Sequence, residues 1–521
     1  MKFSVDGRQF QAALDKAMTV ASPRALLPLS EYIRISAGDG RIAVSGGSYD
    51  SFVRAYAQGS IEAPGDVCVH RDDLRRARIP EGCLQISCIG TRLCLRNETR
   101  RSEIPFRNPM EEKVPLDTPE KCALLFQIDS DALLRALRAT DPARGKSESN
   151  GRPVMMGFHL SGKLRKVIAC DGYRMHSAGL QAGFEAAFDE TYSRTIVGDA
   201  YAHLKKLAPR KPETLGVYDL GHGLKFSGDG FDYYARCLEG DYPNVFGLVP
   251  DSPEYSFTLS AKELRTIAAE YCSLANKKDS SAMVIACDQE RMAASLVTSE
   301  YRTLDHIASF HCSRLPARYF LATSPHYLKD ALTPFDDVEI SVGGLYQPMN
   351  TRNPGFNIGA LVLSHGDLLM LVQPILLNGT VLLDMTNLIM RNCSSAPVAG
   401  KPVSSRPTAA TSAASGSPAS TSRRWTATAS AASAIPAMTP VNIDPPLRYA
   451  GAAVTLVEVP EEVSLTVSVS NCRFRCHGCH SAYLQEDIGR PLLPDLDALI
   501  HRYAGLITCV CLMGEGRNFR E

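Results

Sequence analysis

The chain lacks a net charge. Its 521 residues include 56 lysines and arginines and 56 aspartates and glutamates. Overall attraction therefore cannot bring it to nucleic acid, and any such role must come from a local arrangement of cations. The sequence also lacks a run of about 18 apolar residues, and Met1–Asp6 is not the apolar stretch of a signal peptide. We therefore expect a cytoplasmic protein with no membrane partner.

Cysteine is not scarce, but its distribution argues against disulfides. The chain has 16 cysteines, and most stand singly in apolar segments, as Cys68, Cys88, Cys170 and Cys287 do. Buried free thiols are the expected state of such residues in a large protein of a reducing compartment. An apolar content of 45% allows sizeable cores, and the length allows about three to four domains.

One pattern recurs before residue 340, at intervals of about 60 to 70 residues. A polar capping residue opens a short helix, and segments of alternating apolar and polar residues follow. Ser260 and Glu263 have the spacing of a capping box, Asp129 or Ser130 caps another helix, and Ser324 precedes a proline at the first helical position. The predicted helices begin near Gly7, Arg71, Ser130, Ala200, Ala261 and Pro325.

The segments between these helices are predicted to be strands, for example 32–36, 41–44, 166–170 and 338–342. The fold class is therefore α+β, built from β-α-β-β-β units. Two units in each domain give three domains. The predicted domains cover residues 1–119, 120–250 and 251–378.

Residues 394–442 differ in composition from the rest of the chain. Alanine, serine, threonine and proline dominate, and no acidic residue occurs between Asp384 and Asp444. Such a tract buries too little apolar surface to offset its ordering entropy, which favours a disordered linker. Translation of this stretch out of its proper frame is the alternative. Ordinary patterning returns in residues 447–521, where 453–457 and 464–469 are predicted strands.

The six helices share basic residues beside a thin apolar stripe, a pattern suited to contact with DNA phosphates. The sequence contains no helix-turn-helix, zinc finger or aromatic stacking platform, so base recognition is not expected. For any single pair of basic residues on one helix, the alternative is an ordinary solvent-exposed helix face. The candidate DNA-binding residues on the helices are Lys16, Arg75, Arg76, Arg135, Arg138, Lys205, Lys206, Lys262 and Arg265.

Several motifs, found in this order, resemble the bacterial DNA polymerase III beta subunits, the family of sliding clamps. The resemblance covers about residues 1–376. Its motifs are Met1–Val5, Leu26–Leu29, Ala169–Met175, Leu238–Asn244 and Pro325–Leu332.

This resemblance implies a three-domain protomer that forms a homodimer ring, head to tail, around double-stranded DNA. A clamp has no catalytic residues and no cofactor. It gives processivity to the polymerase III catalytic subunit and is placed on DNA by a clamp loader. Arg24 matches a position that faces DNA in this family, which adds it to the candidate DNA-binding residues.

The family also has an apolar pocket that receives short linear motifs of its partners. The chain departs from the family pattern at Cys170, Tyr173 and Gln373, and sequence continues beyond the final strand. The alternative for these positions is ordinary core at a domain joint. The matching residues are Met155, Gly172, Tyr173, Arg174, Met175, Pro243, Leu248, Leu371, Pro374 and Ile375.

Three cysteines lie within eight residues near the end of the sequence. Cys472, Cys476 and Cys479 have the spacing C-x3-C-x2-C, which can hold three irons of a [4Fe–4S] cluster. The open fourth iron would then chelate S-adenosylmethionine. A zinc site using Cys476, Cys479 and His480, or chance in a cysteine-rich chain, are the alternatives.

Residues 447–516 resemble the activating proteins of anaerobic ribonucleoside-triphosphate reductases, which are radical S-adenosylmethionine enzymes. Gly514 and Glu515 match the turn that binds the cofactor in that family. Most of the expected α/β barrel has no counterpart here, so this partial α/β segment is not expected to be catalytic alone. Two alternatives remain: the clamp is a scaffold for an active radical segment, or frame errors have joined neighbouring genes.

Overall fold

The computed structural model describes most of the first 375 residues and part of the C-terminal region. The predicted linker, residues 394–442, lies outside the described residues. The described residues are 1–21, 28–108, 116, 122–146, 152–208, 212–250, 252–275, 282–287, 292–297, 303, 305–307, 310–314, 319–344, 346–347, 356–357, 360–375, 447–455, 458–459, 462–473, 481–504 and 507–514.

The first pair of repeats begins at the first residues of the chain. Its elements are β1 (Lys2–Asp6), α1 (Gly7–Val20), β2 (Tyr32–Gly38), β3 (Arg41–Gly47), β4 (Ser51–Ala57), β5 (Gly59–Ala63), β6 (Gly65–His70), α2 (Arg71–Ala77), β7 (Cys83–Ile89), β8 (Arg92–Arg96) and β9 (Arg101–Pro105).

The second pair has the same order of elements. These are β10 (Ala123–Asp129), α3 (Ser130–Thr140), β11 (Phe158–Ser161), β12 (Lys166–Cys170), β13 (Arg174–Gly179), β14 (Ala182–Phe184), β15 (Ser193–Ile196), α4 (Ala200–Leu207), β16 (Thr214–Asp219), β17 (Gly223–Gly228) and β18 (Phe231–Leu238).

The third pair repeats this order again, with two short additional strands. Its elements are β19 (Tyr255–Ser260), α5 (Ala261–Leu274), β20 (Ala282–Cys287), β21 (Met292–Val297), β22 (Asp305–Ile307), β23 (Phe310–Arg314), β24 (Tyr319–Thr323), α6 (Pro325–Leu332), β25 (Glu339–Gly344), β26 (Tyr346–Gln347), β27 (Phe356–Asn357), β28 (Leu361–His365) and β29 (Leu368–Val372).

The C-terminal region forms a small separate sheet. Strand β31 pairs antiparallel with β30 and parallel with β33, and α7 lies between β31 and β33 in the chain. Its elements are β30 (Arg448–Thr455), β31 (Ser464–Val469), β32 (Arg490–Pro491), α7 (Leu492–Arg502) and β33 (Cys509–Met513).

All six predicted helix starts are confirmed. The side chain of Asp129, not Ser130, caps α3 by accepting from the Ala132 amide at 3.0 Å. Ser260 caps α5 by accepting from the Glu263 amide at 3.3 Å. Ser324 occupies the N-cap position of α6 as predicted, but its side chain accepts no capping bond, so this helix start depends on the proline at the first helical position.

The strands of each repeat pair follow one pairing scheme. The first strand lies between a short connecting strand and the strand after the second helix: β1 pairs with β5 and β7, β10 with β14 and β16, and β19 with β23 and β25. Each repeat pair therefore consists of two β-α-β-β-β units joined by one connecting strand, and this arrangement occurs three times.

Sheets continue from one repeat pair into the next. Strand β4 of the first pair hydrogen-bonds with β18 of the second, in register from Ser51 opposite Ala235 to Ala55 opposite Phe231. Strand β13 of the second pair hydrogen-bonds with β29 of the third, from Arg174 opposite Val372 to Ala178 opposite Leu368. Backbone ladders thus join the three pairs, and each ladder satisfies two strand edges that would otherwise be open.

The helices cover one face of these sheets, and side chains alternate between the two faces. Val167 on β12 and Ala178 on β13 belong to the large core under the helices. Ile168 and Met175, on the same strands, belong to a second buried cluster on the opposite face. No helix in the described ranges is both long and apolar enough to span a membrane.

Candidate DNA interface and partner groove

The candidate DNA-binding residues fall into two groups. Five of them are exposed and make no ion pair with any described residue, so their charges are available to a phosphate backbone. These are Arg75, Arg135, Arg138, Lys205 and Lys206.

The other basic residues on the helices are partly neutralised or buried. Lys262 and Arg265 both pair with Asp337, at 3.0 and 3.1 Å. Arg76 lies 3.5 Å from Asp73 one turn earlier. The sequence pattern missed the pairs with Asp337 because it shows which helix face a cation occupies but not which carboxylate a later loop brings to it.

Lys16 is half-buried. Its ammonium nitrogen lies 4.8 Å from the centroid of the Phe231 ring. Burial lowers the pKa of the Lys16 amino group, while the nearby Glu213 and Asp229 oppose that shift. Arg24, the remaining candidate, lies outside the described residues.

Helices α3 and α4 pack together, and this contact brings four of the free cations onto neighbouring surfaces. Arg135 and Arg138 also line a cleft of about 470 Å³, which is closed on its far side by Pro334, Asp336 and Asp367 of the third repeat pair. Four of the five free candidate cations therefore lie on the helices of the second repeat pair, although Asp336 and Asp367 bring negative charge to the same cleft as Arg135 and Arg138.

The candidate partner groove lies on the sheet face opposite the helices. Most of its predicted residues line one small cleft at the junction of β13 and β29, together with Cys170, Val245 and Gln373. Met155 and Pro243 are buried beside it, while Pro374 and Ile375 are half-buried. The predicted residues that line the cleft are Gly172, Tyr173, Arg174, Met175, Leu248 and Leu371.

A tight turn between β12 and β13 shapes one wall of the groove. The Asp171 carboxylate accepts from the amides of Tyr173 and Arg174, both at 3.0 Å. Gly172 has φ +91°, a conformation that residues with a side chain rarely adopt. The turn leaves the Tyr173 side chain 47% exposed at the rim of the groove.

Arg174 holds the groove wall to the third repeat pair. It is 6% exposed, and its guanidinium donates to Asp171 at 3.0 Å and to Asp330 on α6 at 2.7 Å. The same group lies 4.5 Å from the centroid of the Tyr327 ring. Asp330 and Tyr327 are positioning residues that the sequence did not single out, although both lie in the motif Pro325–Leu332.

The floor of the groove is apolar and chemically inert. Cys170, Met175 and Leu371 are each 2% exposed. Burial raises the pKa of the Cys170 thiol to about 12, so the thiol stays protonated at neutral pH. Such a surface can bind apolar side chains of a peptide but offers no nucleophile or general base.

Two buried histidines near the groove make stability depend on pH. His159 stacks on Tyr242 at 4.3 Å between centroids, and His176 lies beside Arg174 on β13. Burial lowers the pKa of each imidazole to about 4, from 6.5 in the unfolded chain. Between pH 6.5 and 4 the unfolded chain therefore binds more protons than the folded chain. The free energy of unfolding accordingly decreases as the pH falls through that window.

We expect the free energy of unfolding to drop by about 2–3 kcal/mol per histidine between pH 6.5 and 4. Urea unfolding at a series of pH values measures it. His159→Gln should flatten the pH dependence, whereas the exposed His326→Gln should not. Equal slopes for the two variants would contradict the assignment.

The structure describes part of the predicted iron–sulfur region. Cys472 is half-buried and lies three residues after the end of β31, and its amide donates to the Leu484 carbonyl at 2.8 Å. Cys476, Cys479, His480 and Glu515 lie outside the described residues. Within the residues that are described, no group of three or more His, Cys, Asp or Glu side chains is arranged to hold a metal ion.

Comparisons with known proteins agree with the repeat architecture. No protein-family model matches the chain. In sequence it is 20% identical to the beta sliding clamp of Bacillus subtilis over an alignment of 369 residues that covers 68% of this chain and 96% of that protein. It is 21% identical over 381 residues to the beta sliding clamp of Staphylococcus aureus, with the same coverage.

Solved structures give the same result for the fold. The DNA polymerase sliding clamp from Bacillus subtilis superposes with a TM-score of 0.62 at 18% identity, covering 72% of this chain and 99% of that one. The beta subunit from the DNA polymerase of Streptococcus pyogenes superposes with a TM-score of 0.60 at 17% identity, covering 72% and 100%. The predicted α+β sliding-clamp fold is therefore confirmed for the N-terminal part of the chain.

Proposed function

We propose that the N-terminal part of this chain is a DNA polymerase processivity factor, a sliding clamp that encircles duplex DNA as a homodimer ring. One observation carries the proposal: among the described residues, the repeated sheet junctions leave two matching strand edges, those of β22 and β9, without a paired strand. The sequence and fold similarity to beta sliding clamps supports the same function.

The open edges follow from the threefold pattern. In the first two repeat pairs, the last strand of the first unit (β4, β13) pairs with the final strand of the next repeat pair (β18, β29). The equivalent strand of the third pair is β22, an end strand of its sheet, and the unmatched final strand is β9, an end strand of the first sheet.

Pairing of β22 with β9 of a second copy would repeat the same junction between chains. Such a head-to-tail contact is heterologous, and it closes a ring when the rotation between units allows it. Closure also removes two sheet edges that would otherwise invite uncontrolled association. Two chains with three repeat pairs each would then form the ring.

The free cations of α2, α3 and α4 suit a ring that holds DNA without reading its sequence. Arginine and lysine side chains neutralise phosphates, and this contribution to binding is independent of base sequence. Topological enclosure, not affinity, would then retain the clamp on DNA. The inert apolar groove suits a peptide from the polymerase III catalytic subunit or the clamp loader.

Retention on circular DNA tests the proposal. We expect protein loaded on a nicked circular plasmid by a bacterial clamp loader to co-elute with the plasmid in gel filtration. Linearising the plasmid with a restriction enzyme should release it, because the ring then slides off the ends. Equal retention on circular and linear DNA, or a protein that stays monomeric, would refute encirclement.

The radical S-adenosylmethionine segment is the second candidate, and one geometric feature favours it. Strands β31 and β33 are parallel neighbours, so Cys472 and Gly514 follow the carboxyl ends of adjacent strands. Gly514 has φ +92°, and a Cβ atom there would lie 2.5 Å from the Val469 carbonyl oxygen. Both positions fit the resemblance, and the [4Fe–4S] cluster and S-adenosylmethionine stay predictions for this segment.

A further inference from the structure

The outer face of the sheet at the partner groove is covered by the chain itself. The covering unit is the C-terminal segment, here the described residues between 447 and 514. Groove residues Met175 and Leu371 belong to the same continuous cluster of buried apolar side chains as Val454, Val467 and Leu499 of that segment. The cluster joins two parts of the chain that are separated by about 70 residues, which lie outside the described ranges.

Two polar contacts join the C-terminal segment to the sheets of the N-terminal part, one at the groove and one at Glu254 before β19. At the groove, the Gln373 side-chain amide donates to the Val454 carbonyl oxygen at 3.1 Å. At the second contact, Arg502 at the end of α7 donates to Glu254 at 2.6 Å, with side-chain exposures of 26% and 44%. Glu254 also acts electrostatically on the neighbouring Tyr503, whose pKa is raised chiefly by burial.

We propose that the C-terminal segment is a built-in occupant of the partner groove, so that a peptide partner must displace it before binding. The proposal rests on the proposed function in one respect, namely that the groove is the site where partner peptides bind. The contact between the segment and the groove is independent of that function, because it follows from the shared cluster and the two polar anchors.

The covalent link makes this competition strong. A tethered segment competes intramolecularly, at an effective concentration set by the length of the tether and not by the protein concentration. The apparent affinity of a free peptide is reduced by the fraction of molecules in which the groove is open. If that fraction is about 1%, binding of a free peptide weakens roughly 100-fold. Gln373, which departs from the family pattern, donates to Val454 and so holds the segment in place.

Hydrogen exchange in the full chain tests the contact without a known ligand. Leu248→Glu puts a charge into the apolar cluster, where an unpaired carboxylate is costly. We expect the backbone amides of β30 and α7 to exchange at least tenfold faster in this variant. The matched control is Leu134→Glu, a half-buried leucine of α3 that packs in the other core. It should leave exchange in β30 and α7 unchanged.

A charge swap provides a second test that does not disturb the apolar cluster. Glu254→Arg and Arg502→Glu should each raise exchange in α7 by roughly two- to fivefold, and the double variant should restore it. Unchanged exchange in β30 and α7 for Leu248→Glu and for both single reversals would overturn the proposal. Retention on circular plasmid, measured on the unsubstituted chain, tests the proposed function separately, so the two failures are distinguishable.

Discussion

Glu103→Pro should convert the proposed homodimer into a folded monomer. Strand β9 pairs with β8 on one side only, and its open edge is the surface proposed to meet β22 of a second copy. A proline at an outward-pointing position removes one ladder donor and leaves a carbonyl of the partner strand without its bond. We expect the dimer dissociation constant to rise by roughly two orders of magnitude, measured by sedimentation velocity.

The direction of the Glu103 amide follows from its neighbours. The Phe106 amide donates to the Thr91 carbonyl at 3.2 Å, and the Arg100 carbonyl accepts from the Asn97 amide at 2.9 Å. The backbone N–H and C=O groups of the even-numbered residues therefore point toward β8. Backbone groups alternate along a strand, which turns the Glu103 amide to the open edge. Proline at this position should therefore leave the β8–β9 ladder intact.

Glu103→Ala is the matched control for this experiment. It removes the same carboxylate and its ion pair with Arg101, but it keeps the backbone donor. We expect a dimer for Glu103→Ala and unchanged circular dichroism for both variants. A dimer of wild-type strength in a folded Glu103→Pro variant would show that β9 is not the closing edge.

Removing two free cations from α4 should weaken DNA binding by roughly 10- to 60-fold at about 0.1 M salt. The variant is Lys205→Ala/Lys206→Ala, and both side chains are exposed without an ion pair to any described residue. Each lost phosphate contact also lowers the slope of log affinity against log salt by about 0.9, hence by about 1.8 for two. Fluorescence anisotropy with a short linear duplex at several salt concentrations measures both quantities.

Lys163→Ala/Arg194→Ala is the control of equal charge. These exposed residues lie at the ends of neighbouring strands β11 and β15, away from the helices. If the loss depends only on net charge, both double variants will weaken binding alike. An equal effect of the two variants on affinity and salt slope would refute a DNA-facing helix surface.

The repeating units were predictable because their signals are local. A capping side chain, a proline at the first helical position and alternating apolar residues act within a few residues of one another. The helix starts at Gly7 and Ala261, and the strand 166–170, therefore agree with the structure. The strand predicted at 338–342 is shifted to Glu339–Gly344, which is the usual uncertainty of element ends.

Two features were not predictable in this way: which cations form ion pairs, and which part of the chain covers the groove. Lys262 and Arg265 have the spacing of a basic helix face, but both meet Asp337, which lies more than seventy residues later. The apolar residues of β12 and β13 predicted a buried sheet without indicating what covers its outer face. Val454 and Gln373 come together only because the chain folds back on itself.

The sequence by itself determined the six β-α-β-β-β units, their order and the types of residue on their faces, because these depend on backbone propensity and periodicity. Only the tertiary structure decided which strand edges meet, which cations remain unpaired and what lies over the groove. Those outcomes depend on contacts between residues far apart in the chain, whose free energies no short stretch of sequence contains.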